Sequence, residues 1–187
     1  MKNYLTRNTL PLLLVTVIGI CMAFGFVEAA FALPIVGGMI LDERLEFCDA
    51  TALNTGAAGS YLVGDVIDLG ATSRDIGNGE PLYLCIQVDT AVDSAGDGVT
   101  LQFHLCSDAQ AAIADDGTAT YHFSTGVLAQ ATLIAGYKVA MVALPMGTYE
   151  RYLGILQTTA VEAVTAGKIN AFLTKDPSGW KAYPDGI

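Results

Sequence analysis

The stretch PLYLCIQVDTAVDSAGDGVTLQFHLC, residues 81–106, decides the fold class. In PLYLCIQV (81–88), Leu82, Leu84, Ile86 and Val88 fall on one side of an extended chain. Tyr83, Cys85 and Gln87 fall on the other. In VTLQFHLC (99–106), Leu101, Phe103 and Leu105 alternate in the same way against Gln102, His104 and Cys106. A period of two residues belongs to a β-strand, whose successive side chains point to opposite faces. The ten residues between them, DTAVDSAGDG, are rich in turn formers. Two half-buried strands joined as a hairpin are therefore expected here.

The same pattern extends outward. DVIDLG (65–70) is a short strand closed by a glycine, and ATYHFS (119–124) is another. YKVAMVALP (137–145) is stopped by Pro145. RYLGILQTT (151–159) sets Tyr152, Gly154 and Leu156 against Leu153, Ile155 and Gln157, and GKINAFLT (167–174) closes the series. SDAQAAIA (107–114) predicts at most a turn or two of helix, and no long amphipathic helical pattern separates the strands. Seven or eight short strands with glycine-rich joints predict an all-β fold, an antiparallel sandwich or jelly roll. Its single domain would span residues 39–187. Residues 39–60 have few strand features and many small residues, and read as an extended N-terminal arm. The tail DPSGWKAYPDGI (176–187) reads as a C-terminal arm, whose Trp180 and Tyr183 are best buried against the sheet or another subunit.

Residues 1–38 are of another kind. Lys2, Arg7 and Glu28 are their only charges, Leu10 to Val27 is an uncharged apolar run, and Ala30-Phe31-Ala32 fits a small-residue cleavage pattern. A leader helix is expected. Three origins fit it: a cleavable export signal, a membrane anchor, or a start assigned too early, with the protein beginning at Met39. The rest of the chain holds 7 basic and 18 acidic residues, a net charge of −11. That balance argues against binding nucleic acid, which needs clustered Lys and Arg.

Chemistry is sparse. Cys48, Cys85 and Cys106 of the body form no C-x-x-C pair, and read as three packed thiols. His104 shares a face with Cys106, and the hairpin would bring Cys85 near. No short-spaced ligand pair supports a metal site there. Asp89, Asp93 and Asp97 lack the alternate spacing and final Glu of a calcium loop. No G-x-S-x-G, phosphate loop or dinucleotide fingerprint occurs. Neither an enzyme, a cofactor nor a small-molecule substrate is expected.

From Met39 onward the chain resembles the capsid cement, or decoration, proteins of the Bordetella podophage type. The likeness is carried by DVIDLG (65–70), by RDIGNGEPLY (74–83), by LQFHLCSD (101–108), by RYLG (151–154), and by AGKI (166–169) with AFL (171–173). It implies a jelly roll and a non-enzymatic protein on the outside of a tailed-phage or prophage head. Such a protein bridges major capsid subunits and associates with itself as a homo-oligomer, in the simplest case a dimer. It also implies assembly in the host cytoplasm, which an export leader contradicts, and so favours a start at Met39. For such a role the interface candidates are Leu41, Leu45 and Phe47 of the N-terminal arm and Trp180 and Tyr183 of the tail. Arg74 and Arg151, with Lys168, are rare cations suited to pair with carboxylates across a contact, the competing reading being ion pairs within the chain. Two other functions remain open: an exported, periplasmic or secreted β-sandwich binding module, and an enzyme built on scattered carboxylates with His104 or His122.

Overall fold

A computed structural model of the chain describes residues 42–70, 74–76, 79 and 81–179. The apolar leader and its boundary at Met39 lie outside the described residues, as do Leu41, Trp180 and Tyr183.

Eleven strands form among the described residues: β1 (Glu46–Ala52), β2 (Gly59–Asp68), β3 (Arg74–Ile76), β4 (Tyr83–Ser94), β5 (Thr100–Asp108), β6 (Thr120–Ser124), β7 (Leu128–Ala129), β8 (Lys138–Ala143), β9 (Gly147–Tyr149), β10 (Tyr152–Ala160) and β11 (Val164–Thr174). One sheet runs β1-β11-β4-β8. The other runs β2-β10-β5-β6, with β7 also pairing β5, and β3 and β9 make a small separate ladder. Every pairing is antiparallel. Numbered among themselves, the eight main strands lie in the orders 1-8-3-6 and 2-7-4-5, the two four-stranded layers of a jelly roll. The all-β antiparallel expectation holds.

The expected hairpin of residues 81–106 does not form. β4 and β5 are both strands, yet they belong to opposite sheets, and the turn at Ala95–Gly98 carries the chain across the sandwich. β4 also runs on through DTAVDS, read above as part of the connection. Both strands are central, so their apparently polar faces are covered too. Leu84, Ile86 and Val88 enter the main core with Leu101, Phe103 and Leu105, while Cys85, Gln87, His104 and Cys106 are buried on the outer faces. No helix forms in SDAQAAIA. β5 continues to Asp108, and the following segment folds as bends and turns over the outer face of its own sheet. There Ile113 packs with Cys106 and Leu156, flanked by Leu62, Val66 and Tyr152, in a second small core.

The N-terminal arm is also revised. After a short 3-10 turn at Glu43–Leu45, capped by the Asp42 carboxylate, the segment enters the sheet as β1 against β11. The sequence hid this strand because EFCDATA carries only Phe47 and Cys48 as large apolar residues. The ladder is also irregular, with register shifts on both sides of Cys48 and Ala50 at φ 43°. Gln157, buried in β10, fastens the following connection. It accepts from the Asn54 amide at 2.9 Å and donates to the Asn54 carbonyl at 3.1 Å.

Candidate interaction surfaces

The only histidines in the sequence take part in two different polar clusters. His104 faces outward from β5. Its Nδ1 is 2.7 Å from Ser124 Oγ and its Nε2 is 3.1 Å from Thr158 Oγ1. Thr158 Oγ1 lies 2.7 Å from Ser60 Oγ, which donates to Asp115 Oδ2 at 3.2 Å. Tyr121 donates to the other Asp115 oxygen at 2.8 Å and meets the His104 ring edge-on. One consistent set of donors follows from the carboxylate, which only accepts. Ser60 donates to Asp115, Thr158 to Ser60, His104 Nε2–H to Thr158, and Ser124 to the bare Nδ1. The relay spans four strands and the 109–119 segment. No spacing in the sequence announces it, because His104 and Thr158 are 54 residues apart.

This relay superficially matches a serine, a base and an orienting group. Its setting does not complete an acyl-transfer site. Ser124 faces His104 across the antiparallel β5–β6 ladder, which shifts register at His122, and the amide of the next residue, Thr125, is already given to the Phe103 carbonyl at 2.9 Å. That amide is therefore not free to stabilise an oxyanion. Burial lowers the pKa of His104 and so favours the neutral imidazole, against the nearby Asp115 charge, which raises it. On the opposite face of β6, His122 Nε2 meets Ser107 Oγ at 2.7 Å and its ring stacks on Tyr149 at 3.8 Å. Burial lowers its pKa as well. Tyr149 is wholly buried and donates to the Pro145 carbonyl, which fixes β9.

The cysteines do not meet His104 as the hairpin would have required. Cys85 stands in the other sheet, opposite Phe172 and Met141. Cys48, Cys85 and Cys106 are free and buried thiols. Burial pushes Cys48 and Cys106 up to about 12 and Cys85 up to about 11. Among the described residues no group of three His, Cys, Asp or Glu side chains is placed to hold a metal ion.

The interface candidates fare unequally. Phe47 is 1 % exposed and belongs to the main core, so its side chain is not available to a partner. Leu45 is half-buried and packs against the same core. Arg74 pairs through its backbone with Tyr149 in the β3–β9 ladder. Arg151 is exposed and forks onto Asp68, Nε to Oδ1 at 2.9 Å and Nη2 to Oδ2 at 2.8 Å. Its guanidinium also stands 4.8 Å from the Tyr152 ring centre. The Arg151 hydrogen bonds, with the Gly70 amide, hold the Asp68 carboxyl down to about 2. Lys168 is exposed on β11. The structure thus gives Arg151 a partner within the chain and leaves its charged face open to solvent.

A third cluster fastens one end of the sandwich. Glu162 Oε2 accepts from the amides of Gly96 and Gly98 at 3.0 and 3.3 Å. It shares the Ser94 hydroxyl with Gln130 Oε1, at 2.9 and 2.7 Å. Gln130 Nε2 donates to Asp93 and Asp97 at 3.2 and 3.0 Å. Asp93 and Asp97 are therefore tied to a neutral amide.

Compared with known proteins, the chain matches the family model Bbp16 over residues 47–173, from the start of β1 to the end of β11. This family is associated with Bordetella phage. The comparison with curated proteins finds no match.

Proposed function

The chain belongs to the Bbp16 family, and from that membership we propose that it is a structural protein of a tailed-phage head. It acts as a cement protein on the outer surface, bridging neighbouring major capsid subunits and associating with itself, without catalytic activity. The observation that carries the reading is the family match across the whole jelly roll. The chemistry of the described residues supports it. Both histidines are bonded to hydroxyl groups of neighbouring strands, and every buried side-chain polar atom among the described residues has a partner. The acidic surface suits an exterior position, since packaged DNA repels it.

Bridging rests on symmetry and number. Each contact with a capsid subunit is modest, but a dimer or trimer that touches several subunits gains by avidity. The bridges raise the free energy needed to part subunits strained by packaged DNA. The test is to mix the purified chain with heads assembled from the major capsid subunit alone and to sediment them. Saturable binding at a fixed ratio to capsid subunits is expected, with no DNA required. Absence from sedimented heads over the whole concentration range refutes the role. Recovery from the periplasm after cleavage behind Ala32 would instead establish the exported module.

A further inference from the structure

We infer that residues 109–119 form a strap that lifts as a unit from the outer face of the sheet β2-β10-β5-β6 while the sandwich beneath stays folded, exchanging an acidic cover for an apolar strip. The device is independent of the capsid role.

The strap, AQAAIADDGTA, joins β5 to β6. Ile113 is its one large apolar residue and is 3 % exposed, whereas residues 109–112 and 114–118 are exposed. Among the described residues no backbone hydrogen bond ties it to a strand. One apolar plug and a few side-chain bonds hold it instead. Ile113 rests on Cys106 and Leu156, with Leu62, Val66 and Tyr152 packed around them. Its seat is the bare backbone of Gly154, where an added Cβ would stand 2.9 Å from Ile113 Cδ1. Asp115 is the latch, accepting from Ser60 at 3.2 Å and from Tyr121 at 2.8 Å. Both bonds are exposed, and water can replace them at little net cost.

Asp108, the last residue of β5, closes the base. Its Oδ1 accepts the Gln110 amide at 3.0 Å and its Oδ2 accepts the Thr118 hydroxyl at 3.1 Å. With Gln110 and Thr118 gathered there, the strap can lift without unpairing β5 or β6. The ladders below do not run through it. β10 pairs β5 residue for residue from Tyr152–Asp108 to Ala160–Thr100, and β2 pairs β10 on its other side. A segment with few buried apolar contacts and no ladder bonds opens at a lower free energy than the whole domain.

Opening changes the character of the face. Closed, it presents the carboxylates of Asp115 and Asp116. Open, it presents Leu62, Val66, Cys106 and Leu156, an apolar strip across β2, β10 and β5.

Cys106 reports the opening, because it is wholly buried beside Ile113, while Cys48 and Cys85 are buried in the other sheet. The full chain is treated with a small alkylating reagent at urea concentrations below its unfolding transition. Each thiol's rate is divided by its rate in the unfolded chain. All of these ratios are small, but that of Cys106 is expected to exceed the others at least about tenfold, and to depend weakly on urea, because a local opening exposes little surface. Ile113→Ala removes the plug and should raise the Cys106 ratio at least about tenfold further. Ser60→Ala/Tyr121→Phe removes both donors to Asp115 without altering charge or hollowing the small core. It should raise the Cys106 ratio with the unfolding midpoint little changed, and it decides the matter if Ile113→Ala does not fold. Equal ratios with the same steep urea dependence for Cys48, Cys85 and Cys106 overturn the inference. So does a variant that speeds all of these thiols by one factor, because the strap then opens only with the sandwich.

Discussion

The β2 ladder carries a sharp test of the corner where the chain passes from one sheet to the other. Opposite β10, Val63 pairs with Ile155 but Ile67 pairs with Leu153, so Gly64, Asp65 and Val66 bulge opposite Gly154 alone. Gly64 lies at φ 72°, and a Cβ built there would sit 2.2 Å from the Phe47 carbonyl oxygen and 2.6 Å from Cys48 Cβ. Gly117, in the turn after Asp116, lies at φ 90° with nothing within 4 Å of its would-be Cβ. Alanine at either site carries the left-handed backbone penalty, roughly 1–2 kcal/mol. Only Gly64→Ala must also push the β1 backbone aside, roughly 1–3 kcal/mol more by the behaviour of overpacked interiors. The total, roughly 2–5 kcal/mol, is a large part of the 5–15 kcal/mol typical of a folded domain. At about 2–4 °C per kcal/mol for a chain of this size, Gly64→Ala should melt roughly 2–12 °C below Gly117→Ala. The assay is thermal unfolding followed by circular dichroism, with urea titration as a check. Equal midpoints would refute the close crossing of β1 over the β2 bulge.

Phe47→Ala should cost about 3–5 kcal/mol in urea unfolding, as for a core phenylalanine, and Leu45→Ala clearly less. An arm residue would show almost no loss. Burial holds His104 and His122 below the ordinary histidine value of 6.5. As pH falls through 6.5 the unfolded chain takes up protons before the folded one, so stability present above that pH is lost on acidification, and His104→Gln/His122→Gln should flatten the slope between pH 7 and the onset of carboxylate titration. Native Cys48, Cys85 and Cys106 should resist alkylation at pH 8 and react once urea unfolds the chain, read by peptide mass mapping. Early labelling of Cys85 in the native state would mean that the outer face of its sheet is open.

Strand identity was legible in the sequence wherever apolar and polar residues alternate clearly, as at Leu101, Phe103 and Leu105, even where, as in β5, both faces turn out to be covered. The chain by itself determined an all-β body, its acidic charge, its packed thiols, and the motifs that carry the family likeness. Pairing was not legible, because period two tells which face a residue takes but not which strand lies beside it. Only tertiary structure sent β4 and β5 to opposite sheets, and so separated Cys85 from His104. β1 stayed hidden because its irregular ladder takes its stability from β11 and from Phe47 in a core assembled from distant segments. The His104 relay was equally invisible. Its members are brought together by strand pairing, and contacts between residues so far apart in sequence exist only once β2, β10, β5 and β6 lie side by side in one sheet.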